Sequence, residues 1–310
     1  MLCVYKTIDG KIQEMDRIEE GCWINLVSPT ESEIDSVVQA LNVDPGFLRA
    51  ALDDEEASRI ESEDNQTLII IDIPLAQQDE DTIYFSTIPL GIVITDKNIV
   101  TICLKENSII NEFSNGIVKS VYTNMKTRFV LQIFFRVATR FLQYLKQIDR
   151  ISNEVENQLH KSMKNKELIQ LLGLEKSLVY FSTSLKANEI TMEKILRGRT
   201  IKLYEEDQDL LEDVIIENKQ AIEMSNIYSS ILSGIMDAYA SIISNNLNIV
   251  MKFLTSVTIV LSLPTMVASF YGMNVELPFQ HSPHAFLFTI SLSLVLVCTA
   301  TFILVKRKMF

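Results

Sequence analysis

Apolar and polar positions change their rhythm as the chain proceeds, and each rhythm predicts a different architecture. Residues 1–115 alternate strand and helix signals. Cys22 to Val27 is a β-rich run, and Ser28-Pro29-Thr30-Glu31 reads as a capping box with Pro at the first helical position, opening a helix to about Leu41. Asp44-Pro45 starts another short helix. Thr67 to Ile73, Thr82 to Thr95 and Ile99 to Leu104 read as strands, the last two joined by a turn at Asp96-Lys97-Asn98. Together these elements predict an α/β domain.

From about Asn124 the period lengthens. Phe129, Ile133, Val137, Phe141, Tyr144, Ile148, Ile151 and Val155 recur at three- and four-residue steps, which marks one face of a long helix. After a polar break at Lys161 to Lys166, Glu167 to Leu196 continues in the same way, so residues 116–205 predict a helical hairpin that Arg197-Gly198-Arg199-Thr200 ends. From about Asp207 to Tyr271 no Gly-Pro punctuation stops a helix, although Pro264 lies within it. A continuous helix of that length reaches about 95 Å at ~1.5 Å per residue. Its stalk, residues 206–252, leads directly into an uncharged run.

That run, Phe253 to Val275, has 23 residues, and a second, Ala285 to Val305, has 21. Either is long enough to cross a ~30 Å hydrocarbon core as a helix. The expected plan is therefore a span at 253–271, an outer loop at 272–284, a span at 285–305 and a basic tail at 306–310. Lys252 precedes the first span and Lys306-Arg307-Lys308 follow the second, whereas Asn274 to His284 contains no Lys or Arg. The positive-inside rule then puts both termini in the cytoplasm, and the chain reads as a multi-pass protein of the cell membrane.

Composition adds little to this picture. A net charge of -12 argues against nucleic acid and suits a cation as partner, although such a balance also simply keeps a domain soluble. Cys3, Cys22, Cys103 and Cys298 are isolated, which suggests neither a zinc site nor a disulfide framework. The segment from Met1 to Lys6 lacks the basic and apolar regions of a signal peptide. No P-loop, nucleophile elbow or HExxH helix is present, and His160 stands in a polar helical stretch, so an enzyme is not expected.

The chemistry is concentrated on one stripe. Reading back from Asn274, the positions Ser269, Thr265, Ser262, Thr258, Thr255, Met251, Asn248, Ser244, Ser241, Asp237, Gly234 and Ser230 step by three or four residues and share one helical face. Small hydroxylated residues also favour close packing between membrane helices, so the stripe alone fits a packed seam or a water-facing one. Asp237 and Asn248 extend the face with groups that suit a cation. Met251 and Leu254 would narrow a pore with apolar side chains, or serve ordinary helix packing. At the stripe's outer end, Tyr271 suits the membrane interface, Gly272 permits a turn, and Asn274 offers a neutral carbonyl oxygen.

Tyr271-Gly272-Met273-Asn274 at the end of the first of two C-terminal spans, the preceding Pro264-Thr265, the spacing of Asp237, Asn248 and Met251, and the basic tail together resemble the CorA family of magnesium channels. The resemblance implies an α+β cytoplasmic domain with long helices and two C-terminal transmembrane helices, assembled as a funnel-shaped homopentamer. The first span would line the pore. Gly272, Met273 and Asn274 would form the selectivity filter, with Asn274 the outer ring that meets the hydrated ion. Thr258, Ser262, Thr265 and Ser269 would line the path, Met251 and Leu254 would gate it, and Asn248 and Asp237 would form inner rings. The transported ion would be Mg²⁺, with Co²⁺ or Ni²⁺ as further cargo, entering down the membrane potential.

The family also implies closure by cytoplasmic Mg²⁺ at acidic sites between subunits. Asp213 matches the stalk-side acid, but Arg49-Ala50-Ala51 stands where a partner acid is usual, and Asp53 and Asp54 beyond it are the candidate replacements or a solvated face. In the outer loop only Glu276 is acidic, and His281 and His284 stand three apart beside Pro278 and Pro283, as exposed residues or metal ligands. Two other functions fit parts of the pattern: a Zn²⁺ transporter of the same superfamily, and a membrane-tethered sensor or scaffold that passes no ion.

Overall fold

The computed structural model describes residues 1–310 apart from 80, 81, 163, 164, 199, 200, 202, 276, 280, 281 and 308–310. The chain divides into two compact units, Met1–Gly234 and Ile235–Phe310.

The first unit is built on a seven-stranded sheet. Strands β1 (Leu2–Ile8) and β2 (Lys11–Glu14) form a hairpin whose turn residues, Asp9 and Gly10, both have positive φ, as a tight two-residue turn between right-twisted strands requires. β3 (Trp23–Val27), β4 (Arg59–Glu63), β5 (Gln66–Asp79), β6 (Thr82–Ile94) and β7 (Ile99–Cys103) complete the order β2-β1-β3-β7-β6-β5-β4. All pairings are antiparallel except β3 with β7. Helices cover both faces, so the central strands β3 and β7 are buried almost throughout and read as continuous apolar runs.

On one face, α1 (Glu31–Leu41) and α2 (Pro45–Ala50) bring Ile34, Val37 and Leu48 onto Ile24, Leu26, Leu68, Ile70, Val100 and Ile102. Ala51, just past α2, comes so close to Gly91 of β6 that a Cβ there would lie 2.5 Å from the Ala51 Cβ. On the other face lie α4 (Lys126–Ser162) and α5 (Asn165–Arg197). Trp23 packs edge-on to Phe129 of α4 at 5.2 Å between ring centres, and Phe85 of β6 meets Phe181 of α5 at 6.1 Å. The short α3 (Ser108–Ser114) closes this side through Phe113 against Phe129.

The long helix α6 (Glu205–Tyr271) has 67 residues, about 100 Å at ~1.5 Å per residue. Within the first unit it lies antiparallel to α5. Asn218 Nδ2 donates to the Leu185 carbonyl at 2.9 Å, and Ser225 Oγ donates to the Leu178 carbonyl at 3.0 Å. The second unit holds the rest of α6, the loop and α7 (Ala285–Lys306). α6 and α7 are both long and apolar enough to cross a membrane, and their apolar stretches are only 11% and 6% buried. The buried core helix of a soluble protein would show the opposite.

The α+β fold with long helices and two apolar C-terminal helices stands as the sequence implies, with local corrections. The capping box sits two residues later than Ser28-Pro29-Thr30-Glu31 suggests. Thr30 is the N-cap: the Glu33 carboxylate accepts from the Thr30 N–H at 2.8 Å, and the Thr30 hydroxyl accepts from the Glu33 N–H at 3.4 Å. Ser28 instead has positive φ and gives its N–H to the Cys103 carbonyl, which ties it to the sheet. β1, β2, β4 and α3 are elements that the periodicity does not announce. Cys3, Cys22, Cys103 and Cys298 are free thiols.

Candidate functional site

Helix geometry brings the predicted stripe together. Asp237, Asn248, Met251, Leu254, Thr258, Ser262, Thr265 and Ser269 all lie on α6 within the second unit, and all are exposed. The buried residues of the same stretch, Ser256 and Val267, fall on the opposite side at ~100° per residue, as do the half-buried Val260, Leu263 and Pro264. That opposite side faces α7. A groove of about 660 Å³ runs between the two helices, lined by Pro264, Val267, Ala268 and Tyr271 from α6 and by Phe286 and Ile290 from α7. The helix thus packs through one face and leaves the polar stripe on the other.

Several of the stripe's hydroxyls donate to their own helix. Thr258 donates to the Leu254 carbonyl at 2.8 Å, Ser262 to Ile259 at 2.8 Å, Thr265 to Leu261 at 3.1 Å, and Ser241 to Asp237 at 3.0 Å. With its proton bound to the helix backbone, each oxygen turns lone pairs outward. Along Thr258, Ser262 and Thr265 the exposed face therefore offers acceptors. Hydroxyls on α7 make the same backbone bonds, Ser293 to Thr289 among them, but no amide or acid extends their row.

At the end of α6 the backbone is closed off by the Gly272 N–H, which donates to the Ala268 carbonyl at 2.9 Å, and by Met273 to Phe270 at 3.2 Å. Gly272 stands in the turn that follows α6, as expected, but outside the left-handed region. What favours glycine is space, because a Cβ would lie 3.3 Å from the Ala268 carbonyl oxygen. Tyr271 does more than sit at an interface. Its hydroxyl donates to the Pro278 carbonyl at 3.3 Å, and its ring meets Phe288 of α7 edge-on at 6.4 Å. Phe279 packs on the same Phe288 at 5.3 Å, so the loop returns to α7 through an aromatic cluster. Asn274 is exposed beyond the helix end.

The second group of predicted residues is dispersed. Asp213 is exposed on α6, and Asp53 and Asp54 are exposed after α2, where Asp53 accepts from the Glu55 N–H at 3.0 Å. Asp54 lines a cleft of about 490 Å³ with Gln77, Ser86, Thr87 and Lys105. Among the described residues no three or more His, Cys, Asp or Glu side chains are grouped to hold a metal. Arg49 is engaged by the carboxylates of α1, at 2.9 Å from Glu31 and 4.0 Å from Asp35. His284 is the N-cap residue of α7 and makes no side-chain cap bond. Glu276, His281, Arg199, Thr200 and Lys308 lie outside the described residues.

The model of the CorA-like Mg²⁺ transporter protein family matches residues 19–307. The chain belongs to this family. A cobalt/magnesium transport protein CorA from Methanocaldococcus jannaschii is 27% identical over 291 residues, covering 91% of this chain and 89% of the relative. The complete structure of the CorA magnesium transporter from the same organism superposes with a TM-score of 0.85 at 25% identity, covering 98% of this chain and 96% of that one. The full-length CmaX protein shares the fold, with a TM-score of 0.70 at 14% identity over 99% of this chain and 96% of its own.

As a member of the CorA family the protein is a membrane transporter of divalent cations. The periodicity of the first apolar run is enough to find the stripe. Two features of the site carry no sequence signal: the engagement of the hydroxyl protons, which depends on rotamers, and the Tyr271–Pro278 bond, which depends on how the loop returns.

Proposed function

We propose that the protein is a homopentameric channel of the cell membrane that passes Mg²⁺ inward down the membrane potential, accepts Co²⁺ or Ni²⁺ as further cargo, and is closed by cytoplasmic Mg²⁺. One observation carries the reading: α6 packs on α7 through one face and exposes on the other a row of oxygens whose protons are bound to the helix itself. A hydrated Mg²⁺ presents water hydrogens outward and loses its waters reluctantly, so a path for it needs acceptors.

In this mechanism five copies of α6 surround an axis, the number resting on the family. Asn274 meets the hydrated ion with its amide oxygen, which holds it less tightly than a carboxylate ring would and so lets it leave. Tyr271 keeps the loop attached to α7 while the ion passes. Thr265, Ser262 and Thr258 hand the ion along through its waters, Met251 and Leu254 form the apolar constriction, and Asn248 and Asp237 receive the ion below it. Lys252 and the 306–308 basic residues keep both helix ends on the cytoplasmic side. Closure by Mg²⁺ involves Asp213 and one of Asp53 and Asp54 from different subunits, as the resemblance to the family implies.

Flux into liposomes carrying the purified chain tests this. Mg²⁺ is expected to enter and to be slowed by Mg²⁺ on the cytoplasmic face. Flux of Zn²⁺ in preference to Mg²⁺ would replace the magnesium reading with the zinc one, and no flux of any divalent ion would leave a sensor or scaffold.

A further inference from the structure

The polar residues between α5 and α6 repeat every seven positions on both helices. In the middle of the seam, Asn218 Nδ2 donates to the Leu185 carbonyl at 2.9 Å and Ser225 Oγ to the Leu178 carbonyl at 3.0 Å. Leu211 and Leu232, one heptad before and after on α6, continue that register with Met192 and Leu171 on α5, and all of these residues are buried. Along one flank a second ladder keeps the same step. Lys219 Nζ lies 3.4 Å from Glu189, Ser182 donates to the Asn226 amide oxygen at 3.2 Å, and Ser233 donates to Glu175 at 2.7 Å.

Stability does not explain the amide. Asn218 is fully buried and its Oδ1 has no hydrogen-bond partner among the described residues, a cost that a leucine there would avoid. A buried Asn in a heptad seam holds two helices in one register at the expense of stability. Its donor must face a carbonyl, so a slip of α6 by one to three residues strands it, together with Ser225, against apolar side chains. A slip of a whole heptad, about 10 Å at ~1.5 Å per residue, would satisfy both donors again.

The flank removes that ambiguity. One heptad in one direction brings Glu212 opposite Glu189, like charge against like. One heptad in the other brings Lys219 opposite Leu196 and takes it away from Glu189 and from Glu193, now 3.8 Å distant. α5 is itself fixed to the sheet, through Asn188 on the Asp72 backbone at 2.8 Å and through Ser177, which accepts from the Phe85 N–H at 3.2 Å. The height of α6 on α5 is therefore its height on the sheet.

We propose that Asn218 and Lys219 are positioning residues of the transporter: the Asn218 amide stops α6 at discrete heights along α5, and the Lys219 ammonium selects the one at which the helix carrying the polar stripe is held. The effect on flux rests on the channel reading, whereas the register does not.

The test uses the full chain with Cys298→Ser, since Cys3, Cys22 and Cys103 are buried. Ser182→Cys is combined with Asn226→Cys for the observed register, with Ser229→Cys or Ser233→Cys for a slip of a turn or a heptad one way, and with Glu223→Cys for a turn the other way. A disulfide forms only where the Cα atoms come within about 7 Å, so each crosslink reports one register. Crosslinks are read in liposomes beside Mg²⁺ flux and the denaturation midpoint, and the parent is expected to give the 182–226 crosslink alone. Asn218→Leu should keep or raise the midpoint, spread the crosslinks to the other pairs and cut flux severalfold. Lys219→Glu, an exposed change that leaves the interior of the seam intact, should also spread them, and adding Glu189→Lys should restore the single crosslink. If Asn218→Leu does not assemble, Lys219→Glu and its rescue decide in its place. A single 182–226 crosslink in both variants overturns the proposal, as does a lowered midpoint in Asn218→Leu with its crosslink unchanged, the mark of an amide that only stabilises. Spread crosslinks at parental flux overturn the link to transport. If the parent passes no Mg²⁺ the channel reading fails, while the crosslinks still decide the register.

Discussion

Asn188 stands in for a strand beside Asp72. β4 pairs with β5 only as far as Arg59 opposite Ile70, so beyond that point the outer edge of β5 has no neighbouring strand among the described residues. The Asn188 amide supplies one donor and one acceptor to the Asp72 backbone, as a strand would, and both bonds are 2.8 Å long. The residue across β6 is Pro89, which has no N–H. Proline is tolerated there because the Asp72 backbone groups point away from it, toward α5.

Asn188→Ala therefore leaves a backbone N–H and a carbonyl without partners in a largely buried place. A loss of about 2 to 4 kcal/mol is expected, at ~1–3 kcal/mol per unsatisfied group. Denaturant unfolding of the purified chain measures it; a loss below about 1 kcal/mol would mean that water replaces the amide.

Gly91→Ala overpacks the contact between β6 and α2. The new Cβ would lie 2.5 Å from the Ala51 Cβ and 2.8 Å from Ile102 Cγ2, neither of which is the end of a long flexible chain. Destabilisation of about 1 to 3 kcal/mol is expected. The double variant with Ala51→Gly should recover part of it, since it removes the closer of the two clashes.

Asn274→Ala should abolish Mg²⁺ uptake while the protein still assembles in the membrane. Its side chain is exposed and is not needed to end α6, whose last N–H groups bond to Ala268 and Phe270 without it. Uptake at the wild-type rate would remove Asn274 from the filter.

Tyr271→Phe removes the bond to the Pro278 carbonyl but keeps the ring against Phe288. Tyr271→Ala removes both. If the clasp positions Asn274, flux should fall modestly in the first and severely in the second, with assembled protein unchanged. Equal flux in both variants would show that the loop holds its place by other contacts.

Legibility in the sequence followed the range of the forces involved. The span pair, the long helices and the stripe repeat at helical spacing, and that spacing is local. The edge elements were harder to read. β4, with the sequence Arg-Ile-Glu-Ser-Glu, is a charged and half-exposed edge strand, the kind whose polarity protects against edge-to-edge pairing and hides it from a hydrophobic pattern. The N-cap of α1 falls at Thr30 and not at the expected Ser28 for a different reason. Ser28 and Thr30 both offer a hydroxyl, and the choice fell to Thr30 because Ser28 is bonded to Cys103 at the end of β7.

The sequence by itself determined that this chain carries two apolar segments long enough to span a bilayer, a continuous helix leading into the first, and a polar face along it ending at Asn274. Only the tertiary structure decided which face of α6 packs on α7, and that the hydroxyl protons of Thr258, Ser262 and Thr265 are turned back to the backbone. It alone joined Asp72 to α5 and placed Trp23 beside Ile99 in the parallel pairing of β3 with β7. Periodicity is set by neighbours three or four residues away, whereas these pairings join residues brought together only when the chain has closed on itself.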